Sequence, residues 1–263
     1  MRGTWMERQI LLTISYDGTG YCGFQRQPNG IAVESELNTA LTKIAGHPVS
    51  ILGASRTDAG VHALGQRASF FLRGRIPTDH ICNAVNGLLP KDIVVVDAEE
   101  VPQGFHCRHD AVGKHYCYTV RNTKGTSPFD RNYTYHFPGK LDLAIIKDAI
   151  PLLIGEKDFK AFTASHSGQK NFVRRLDRIT AKREGDYVLF DFWGGGFLYK
   201  MVRSLTGSLL DVGRGYFDKE ILVKALETGD RSLLSLTAPA KGLMLRKIYY
   251  NEEYYLDKDS FIG

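Results

Sequence analysis

Residues 172–212 read FVRRLDRITAKREGDYVLFDFWGGGFLYKMVRSLTGSLLDV. Two extended runs, 172–183 and 187–193, flank Glu184-Gly185-Asp186, which is the turn signal of a β-hairpin. Leu198, Met201, Val202, Leu205, Leu209 and Val212 then recur at helical spacing and form the clearest amphipathic helix in the chain. Working outward, Tyr116, Tyr118 and Val120 alternate as a strand, and Leu143, Ile146, Ile150 and Leu153 make a helical stripe. A short helix is expected from Asp218 as N-cap, with Ile221, Leu222, Ala225 and Leu226, and residues 243–250 close as a strand. The order is β-α-β-β-α-β with one helix inserted.

The preceding half repeats it. Ile10, Leu12, Ile14 and Tyr16 alternate as a strand, and a polar loop opens at Asp17-Gly18 and runs to Gly30. Val33, Leu37, Leu41 and Ile44 follow at helical spacing, stopped by Gly46 and Pro48. Residues 49–52 are a short strand; Ala68, Phe70 and Leu72 alternate as another. Ile81, Val85 and Leu88 mark a helix that ends before Pro90, and residues 93–96 are a β-branched run. Two split βαβ units predict an α+β fold, with the sheets side by side, helices on one face and the other face free to bind.

The 263 residues are 43% hydrophobic and 24% charged, which excludes a disordered, collagen-like or disulfide-stapled chain. Lys and Arg (34) exceed Asp and Glu (29) by only five, so a polyanionic partner is permitted but not demanded. Cys22, Cys82, Cys107 and Cys117 form no C-x-x-C pair and read as reduced thiols of a cytoplasmic protein. Cys107 and Cys117 with His106, His109 or His115 fit no standard zinc spacing, so no metal is expected. Residues 1–8 hold no apolar run and no stretch reaches the ~18 apolar residues of a membrane span, so neither a signal peptide nor a membrane anchor is expected.

The densest chemistry lies in residues 53–65, GASRTDAGVHALG, a loop between two core strands. Arg56, Thr57, Asp58 and His62 fall within seven residues of one another there. A solvated turn is one reading. A carboxylate held in a cleft is the other, and loops carried by rigid strands are where catalytic groups concentrate. His62 is expected to bond its own loop rather than act as a base. No G-x-x-x-x-G-K-[ST] motif occurs, and Gly194-Gly195-Gly196 reads as a tight turn rather than a phosphate cradle.

Three groupings carry the positive charge. His106, Arg108, His109, Lys114 and His115 surround Asp110; Lys170, Arg174, Arg175, Arg178, Lys182 and Arg183 enclose Asp177; Arg26 sits among Phe24, Gln25 and Gln27. Acid gathers at 97–100 and 252–259. This segregation predicts a basic face, against the alternative of solvated strands laced by ion pairs. Tyr116 and Tyr118 share one strand face, as core or as a platform for a base, with Cys117 on the other. Arg203, at the margin of its helix's apolar stripe, needs a partner such as a buried Asp58, or else snorkels to water.

These residues together resemble the tRNA pseudouridine synthase A family. The match rests on Arg56-Thr57-Asp58-Ala59-Gly60-Val61-His62, supported by Tyr16-Asp17-Gly18-Thr19, Gly23-Phe24-Gln25-Arg26-Gln27, Phe105-His106-Cys107-Arg108, Lys114-His115-Tyr116-Cys117-Tyr118, Phe197-Leu198 through Met201-Val202-Arg203 to Gly207, and Gly242-Leu243-Met244-Leu245. The resemblance implies two ferredoxin-like halves, 1–107 and 108–263, forming one extended, mainly antiparallel sheet with helices on one face and a central cleft. The first would carry the catalytic Asp loop, and the second the basic strands and the active-site Tyr and Arg. It implies a homodimer, without cofactor or metal, that isomerises uridine to pseudouridine at positions 38 to 40 of the tRNA anticodon stem-loop.

By the same resemblance Asp58 is the catalytic carboxylate, Tyr116 the active-site tyrosine and Arg203 the basic partner of Asp58. Arg56 would open the RNA and hold the flipped site. Arg26, Arg56, His62, Arg108, Lys114, Arg174 and Arg175 would contact RNA, and Tyr116 and Leu245 would line the substrate pocket. Ser55 replaces a glycine frequent in the family, Phe24 stands where Trp is usual, and the first six residues match nothing and read as a free tail. Rival readings are a synthase acting on another RNA site, a non-catalytic RNA-binding module, and a small-molecule enzyme on the same scaffold.

Overall fold

The alternation at the start of the chain becomes strand β1 (Glu7–Tyr16), whose Ile10, Leu12, Ile14 and Tyr16 are all buried. It is followed by α1 (Val33–Ala45), β2 (Leu52–Gly53), β3 (His62–Arg73), α2 (Thr78–Asn86) and β4 (Ile93–Val101). The computed structural model describes residues 7–28, 30–164, 169–234 and 237–260; the expected free tail at 1–6 lies outside them. Two compact units result, residues 1–111 with Leu245–Ile248, and residues 112–244 with 249–263.

In the first unit the strand order is β4-β1-β3, antiparallel throughout, with β2 paired to β3. Leu12 lies opposite Ala68 on one side and Ala98 on the other, so the apolar parity of each strand falls on one face. Val33, Leu37 and Leu41 of α1 and Ile81 and Val85 of α2 complete the core. Gly46 ends α1 at φ 68°, a left-handed cap that only glycine takes freely. Two expectations shift. The strand at 49–52 is reduced to Leu52–Gly53, and β3 starts at His62, so Gly65 lies in a strand rather than a loop. A Cβ on Gly65 would stand 2.5 Å from the Arg246 carbonyl oxygen, so this glycine admits the backbone of the last strand.

The second unit runs β5 (Gly113–Arg121), β6 (Tyr135–His136), α3 (Leu143–Ala149), β7 (Gly155–Asp158), β8 (Val173–Glu184), β9 (Tyr187–Gly194), α4 (Met201–Gly213), α5 (Glu220–Thr228), the two ends of β10 (Leu243–Tyr249), whose Leu245–Ile248 belong to the first unit, and α6 (Glu253–Ser260). Its strand order is β5-β9-β8-β7, antiparallel, with β6 parallel beside β5. The fold class is thus α+β on a large, mainly antiparallel sheet. Asp142 caps α3 by accepting from the Ala144 amide at 2.8 Å. Gly213 at the end of α4 presses on α3, where a Cβ would come within 2.5 Å of Ile146 Cγ1. Asp218 does not cap α5 with its carboxylate; α5 begins at Glu220, and the Asp218 carbonyl accepts from the Ile221 amide at 3.1 Å.

The expectation of a sheet face left free needs correcting. In the first unit Gln9 is buried: its side chain donates to the Phe105 carbonyl at 2.6 Å and accepts from the Gly104 amide at 3.2 Å. In the second unit α6 buries Tyr254 against Trp193 and Tyr249, and Gly113 makes room for the Tyr254 ring. The Tyr254 hydroxyl donates to Asp177, and Arg178 donates to the carbonyl of Lys258. The C-terminal helix therefore seals part of the face that alternation alone leaves open.

Candidate active site

The loop between β2 and β3 in the first unit is clamped from several sides. The Phe24 amide donates to the Thr57 carbonyl at 3.2 Å, the Gly60 amide to the Tyr21 carbonyl at 3.3 Å, and the Val61 amide to the Asp58 carbonyl at 3.1 Å. Gly23 and Asp58 form an isolated antiparallel bridge. Thr57 is buried, with Oγ1 2.7 Å from the Tyr16 hydroxyl. Ser55 is also buried: its amide donates to Gln66 Oε1 at 3.2 Å and its carbonyl accepts from Gln66 Nε2 at 2.8 Å.

Local backbone requirements explain this. Gly23 has φ 113°, and a Cβ there would lie 2.7 Å from the Thr57 carbonyl oxygen. Such a φ excludes ordinary L-residues. Phe24 is buried with its ring filling the space a Gly53 side chain would need, so the residue that replaces Trp packs under the loop. Because Thr57 points into the protein, its neighbours point away from it. Arg56 is exposed and Asp58 is half-buried.

The two loops that sequence reading kept apart, 17–30 and 53–65, are therefore one hydrogen-bonded assembly. His62 is 2% exposed; its Nδ1 accepts from the Gly18 amide at 3.1 Å and lies 3.1 Å from Asp17 Oδ1. It bonds the loop, as expected. Its burial corrects its placement among RNA contacts, because a ring enclosed by protein cannot reach a phosphate. Arg26 is exposed, with its amide donating to Glu34 Oε2 at 2.6 Å. Arg108 is half-buried and donates to the Gly53 carbonyl at 2.9 Å. Burial, and then the charge of Arg56, lower its pKa. Two guanidinium groups thus repel each other beside the Asp58 loop, an arrangement that an anion relieves.

In the second unit Tyr116 lies on β5 opposite Phe192 and shares its face with Tyr118 and Phe190. Tyr116 is 6% exposed, its ring set edge-on to Phe197 at 5.1 Å. Tyr118 is core: it donates to the Pro239 carbonyl at 2.7 Å, and burial raises its pKa while the nearby Arg203 opposes the rise. Tyr116 and Arg203 of α4 therefore lie on the helix-bearing side of this sheet, not on an exposed one. Arg203 is half-buried, with Nε donating to the Ala238 carbonyl at 2.7 Å and its own carbonyl accepting from the Ala238 amide at 3.1 Å.

The basic strand does not form a single face. Arg175 Nε is 2.8 Å from Asp177 Oδ1, and that charge holds its pKa up. Arg178 turns toward α6 with its guanidinium 5.9 Å from the Trp193 ring centre. Arg174 instead donates to the carbonyls of Asn171 and Val173, and burial lowers its pKa. Lys114, opposite Gly194, is half-buried. Leu245 is fully buried in β10 and belongs to the first unit. Asp58 belongs to the first unit, and Tyr116 and Arg203 to the second.

Residues 12–110 and 149–251 match the family model described as tRNA pseudouridine synthase. The chain belongs to the tRNA pseudouridine synthase family. It is 42% identical over 243 residues to tRNA pseudouridine synthase A of Geotalea daltonii, covering 92% of this chain and 100% of that one. It is 41% identical, with the same coverage, to tRNA pseudouridine synthase A 2 of Clostridium perfringens. Among solved structures a Cbf5-Nop10-Gar1 complex matches with a TM-score of 0.33 and 14% identity, covering 79% of this chain and 55% of that one. That likeness is too distant to carry an argument. As a tRNA pseudouridine synthase the chain is an isomerase acting on tRNA uridine.

Sequence reading missed the residues of this synthase that hold the loop rather than tip it: Tyr16, Gly18, Tyr21, Gly23 and the inward role of Thr57. Tyr21 donates to Asp92 at 2.6 Å, and burial together with that carboxylate raises its pKa. The available signal was the glycine spacing of residues 18–23, which announces close backbone approach without naming the partner strand.

Proposed function

We propose that the chain isomerises uridine to pseudouridine at positions 38–40 of the tRNA anticodon stem-loop, with Asp58 as the catalytic carboxylate. The observation that carries this reading is the clamped turn at 56–58, in which Thr57 is tied down by Tyr16 while Arg56 is exposed and Asp58 half-buried. A passive binder gains nothing from a carboxylate facing a polyanion.

Pseudouridine formation breaks the N1–C1′ bond, turns the uracil, and joins C5 to C1′, with the C5 proton lost and a proton gained at N1. An ionised Asp58 serves either route to that outcome, attacking as a nucleophile or removing a proton on the way to a glycal. Arg203 partners the carboxylate in this reading, and Tyr116 covers the extruded base or assists proton transfer at C5. In this reading the side chains of the chain carry the reaction without cofactor or metal, as the family resemblance implies. The target base must leave its stack at a cost of a few kcal/mol. Arg56, Arg26, Arg108, Lys114 and Arg174 offset that cost at the phosphates; Arg175 contributes less because Asp177 holds it. Leu245 remains a pocket candidate, its side chain already committed to the core. The Asp loop and the Tyr/Arg pair divide the work between the two halves of the chain, and the working enzyme is a cytoplasmic homodimer.

The test uses unmodified tRNA transcribed with uridine tritiated at C5. Wild type should release tritium to water and Asp58→Ala should not, while the variant still binds tRNA. Product mapping should place pseudouridine at 38, 39 or 40; pseudouridine elsewhere would refute the site. Release by Asp58→Ala at the wild-type rate would refute the role of the carboxylate.

A further inference from the structure

The loop from β5 to β6 holds the most exposed large apolar side chain among the described residues. Phe129 is 92% exposed. Its loop is nevertheless tightly anchored. Asp130, the next residue, accepts from Arg121 at 2.9 Å and from the Tyr187 hydroxyl at 2.8 Å. The Asp130 carbonyl accepts from the Tyr133 amide at 2.8 Å and the Thr134 hydroxyl at 3.1 Å. On the other flank the Phe129 amide donates to Ser127 Oγ at 3.2 Å, and Arg131 donates to the Pro128 carbonyl at 2.6 Å. An aromatic ring is thus held out in water by a fixed frame.

Such exposure forgoes a burial worth about 1.5–3 kcal/mol, and nothing in the frame requires an aromatic at that position. The surroundings point to the occupant. Lys124 and Arg131 are exposed in the same loop, and among the described residues no carboxylate pairs with either. Gly125, Thr126 and Pro128 lie in the same loop, and Tyr133, 44% exposed, is its one other exposed large apolar side chain, so the ring stands among mainly polar and cationic groups rather than at the centre of an apolar patch. The anchor of a protein interface sits at the centre of such a patch. A flat ring flanked by exposed cations without a carboxylate partner is instead the equipment for stacking an unpaired base while its phosphates are neutralised.

We infer that Phe129, with Lys124 and Arg131, is a second RNA contact that stacks on an unpaired base of the tRNA away from the isomerised uridine. The inference rests on tRNA being the substrate. It is independent of Asp58, so it can fail while the catalytic reading stands.

The test measures the affinity of the full-length protein for an unmodified tRNA transcript and for a fully paired RNA duplex, at fixed salt. Phe129→Ala should weaken tRNA binding by about 5- to 150-fold, equivalent to the ~1–3 kcal/mol of one stacked base, and leave the duplex unchanged. Phe129→Trp should restore tRNA binding. Tritium release at saturating tRNA should keep the wild-type rate in both variants. Wild-type tRNA affinity in Phe129→Ala overturns the inference, and so does an equal loss on tRNA and duplex. A fall in molar mass by light scattering in Phe129→Ala, with affinity per folded protein unchanged, also overturns it and assigns the ring to a second copy of the chain.

Discussion

Thr57→Val is the substitution that most directly tests whether the protein positions Asp58. It replaces a hydroxyl by a methyl of the same shape and leaves Asp58 and Arg56 in place. The lost contact is the 2.7 Å hydrogen bond between Thr57 Oγ1 and the Tyr16 hydroxyl, inside the core. The bond itself is worth about 1 kcal/mol net, and a buried hydroxyl left facing a methyl adds ~1–2 kcal/mol. Gln66 Nε2 also donates to the Tyr16 hydroxyl, at 3.5 Å, but a donor cannot accept that hydroxyl's proton in place of Thr57 Oγ1. Thr57→Val should therefore lose about 2–3 kcal/mol of stability. Tyr16→Phe should lose less, because it leaves a small hydroxyl rather than a phenol to be satisfied. The double variant should fall short of the sum of the two by ~0.5–1.5 kcal/mol. Urea unfolding gives these values from midpoints at constant slope. Single-turnover tritium release gives the catalytic half. A carboxylate displaced by tenths of an ångström should react roughly tenfold more slowly, since misplacement by a full ångström costs about a hundredfold. Additive stabilities would remove the hydrogen bond from the argument. A destabilised Thr57→Val that still reacts at the wild-type rate would show that the clamp holds the fold but not the carboxylate.

Other perturbations reach different parts of the structure. Gly213→Ala should cost about 1–3 kcal/mol by overpacking against Ile146, and Ile146→Val should recover part of it in thermal unfolding. Salt titrations of tRNA binding should show affinity falling as salt rises, with Arg174→Ala lowering the slope by about one and Arg175→Ala by less, because Asp177 already holds Arg175. Burial raises the pKa of Asp211 in the folded protein, against the opposing charge of Arg214. Between the ordinary carboxylate value and the raised one the folded state holds the extra proton, so stability falls as pH rises through that window. Asp211→Asn should accordingly be more stable than wild type at neutral pH in urea unfolding, with the gain shrinking as pH drops below the ordinary value.

Much of the fold was legible because its signals are local. The alternation of β1, the hairpin at Glu184-Gly185-Asp186 and the stripe of α4 each express a backbone period in side chains. What escaped are elements whose burial depends on distant partners. Strands β6 and β7 are too short to show a period. Helix α6 reads as a charged tail, EYYLDKDS, because among its described side chains the one that is buried is Tyr254, which enters a slot opened by Gly113 about 140 residues earlier. The supposedly free sheet face was misjudged for the same reason. Polarity of a strand face predicts water only if nothing later in the chain brings partners for it, and here Asp177 and Arg178 find theirs in α6.

The candidate site divides along the same line. The chemistry proposed for it comes from a local signal, an ionisable cluster between glycines in a short loop. Its mechanics do not. Arg56-Thr57-Asp58 looks like three polar residues of equal standing, yet the structure makes them unequal: Thr57 is an anchor and its neighbours are the groups it positions. His62 differs, because the sequence reading expects it to bond its own loop, and its Nδ1 accepts from the Gly18 amide that ties that loop to the one after β1. Thr57 and His62 thus both serve to fix backbone. The distinction lies in which partners the fold delivers, and those come from β1 and the loop after it, some forty residues away in sequence. The inward bond of Thr57 holds the backbone from which Asp58 projects, which is why Thr57 rather than Asp58 tests how the loop positions that carboxylate.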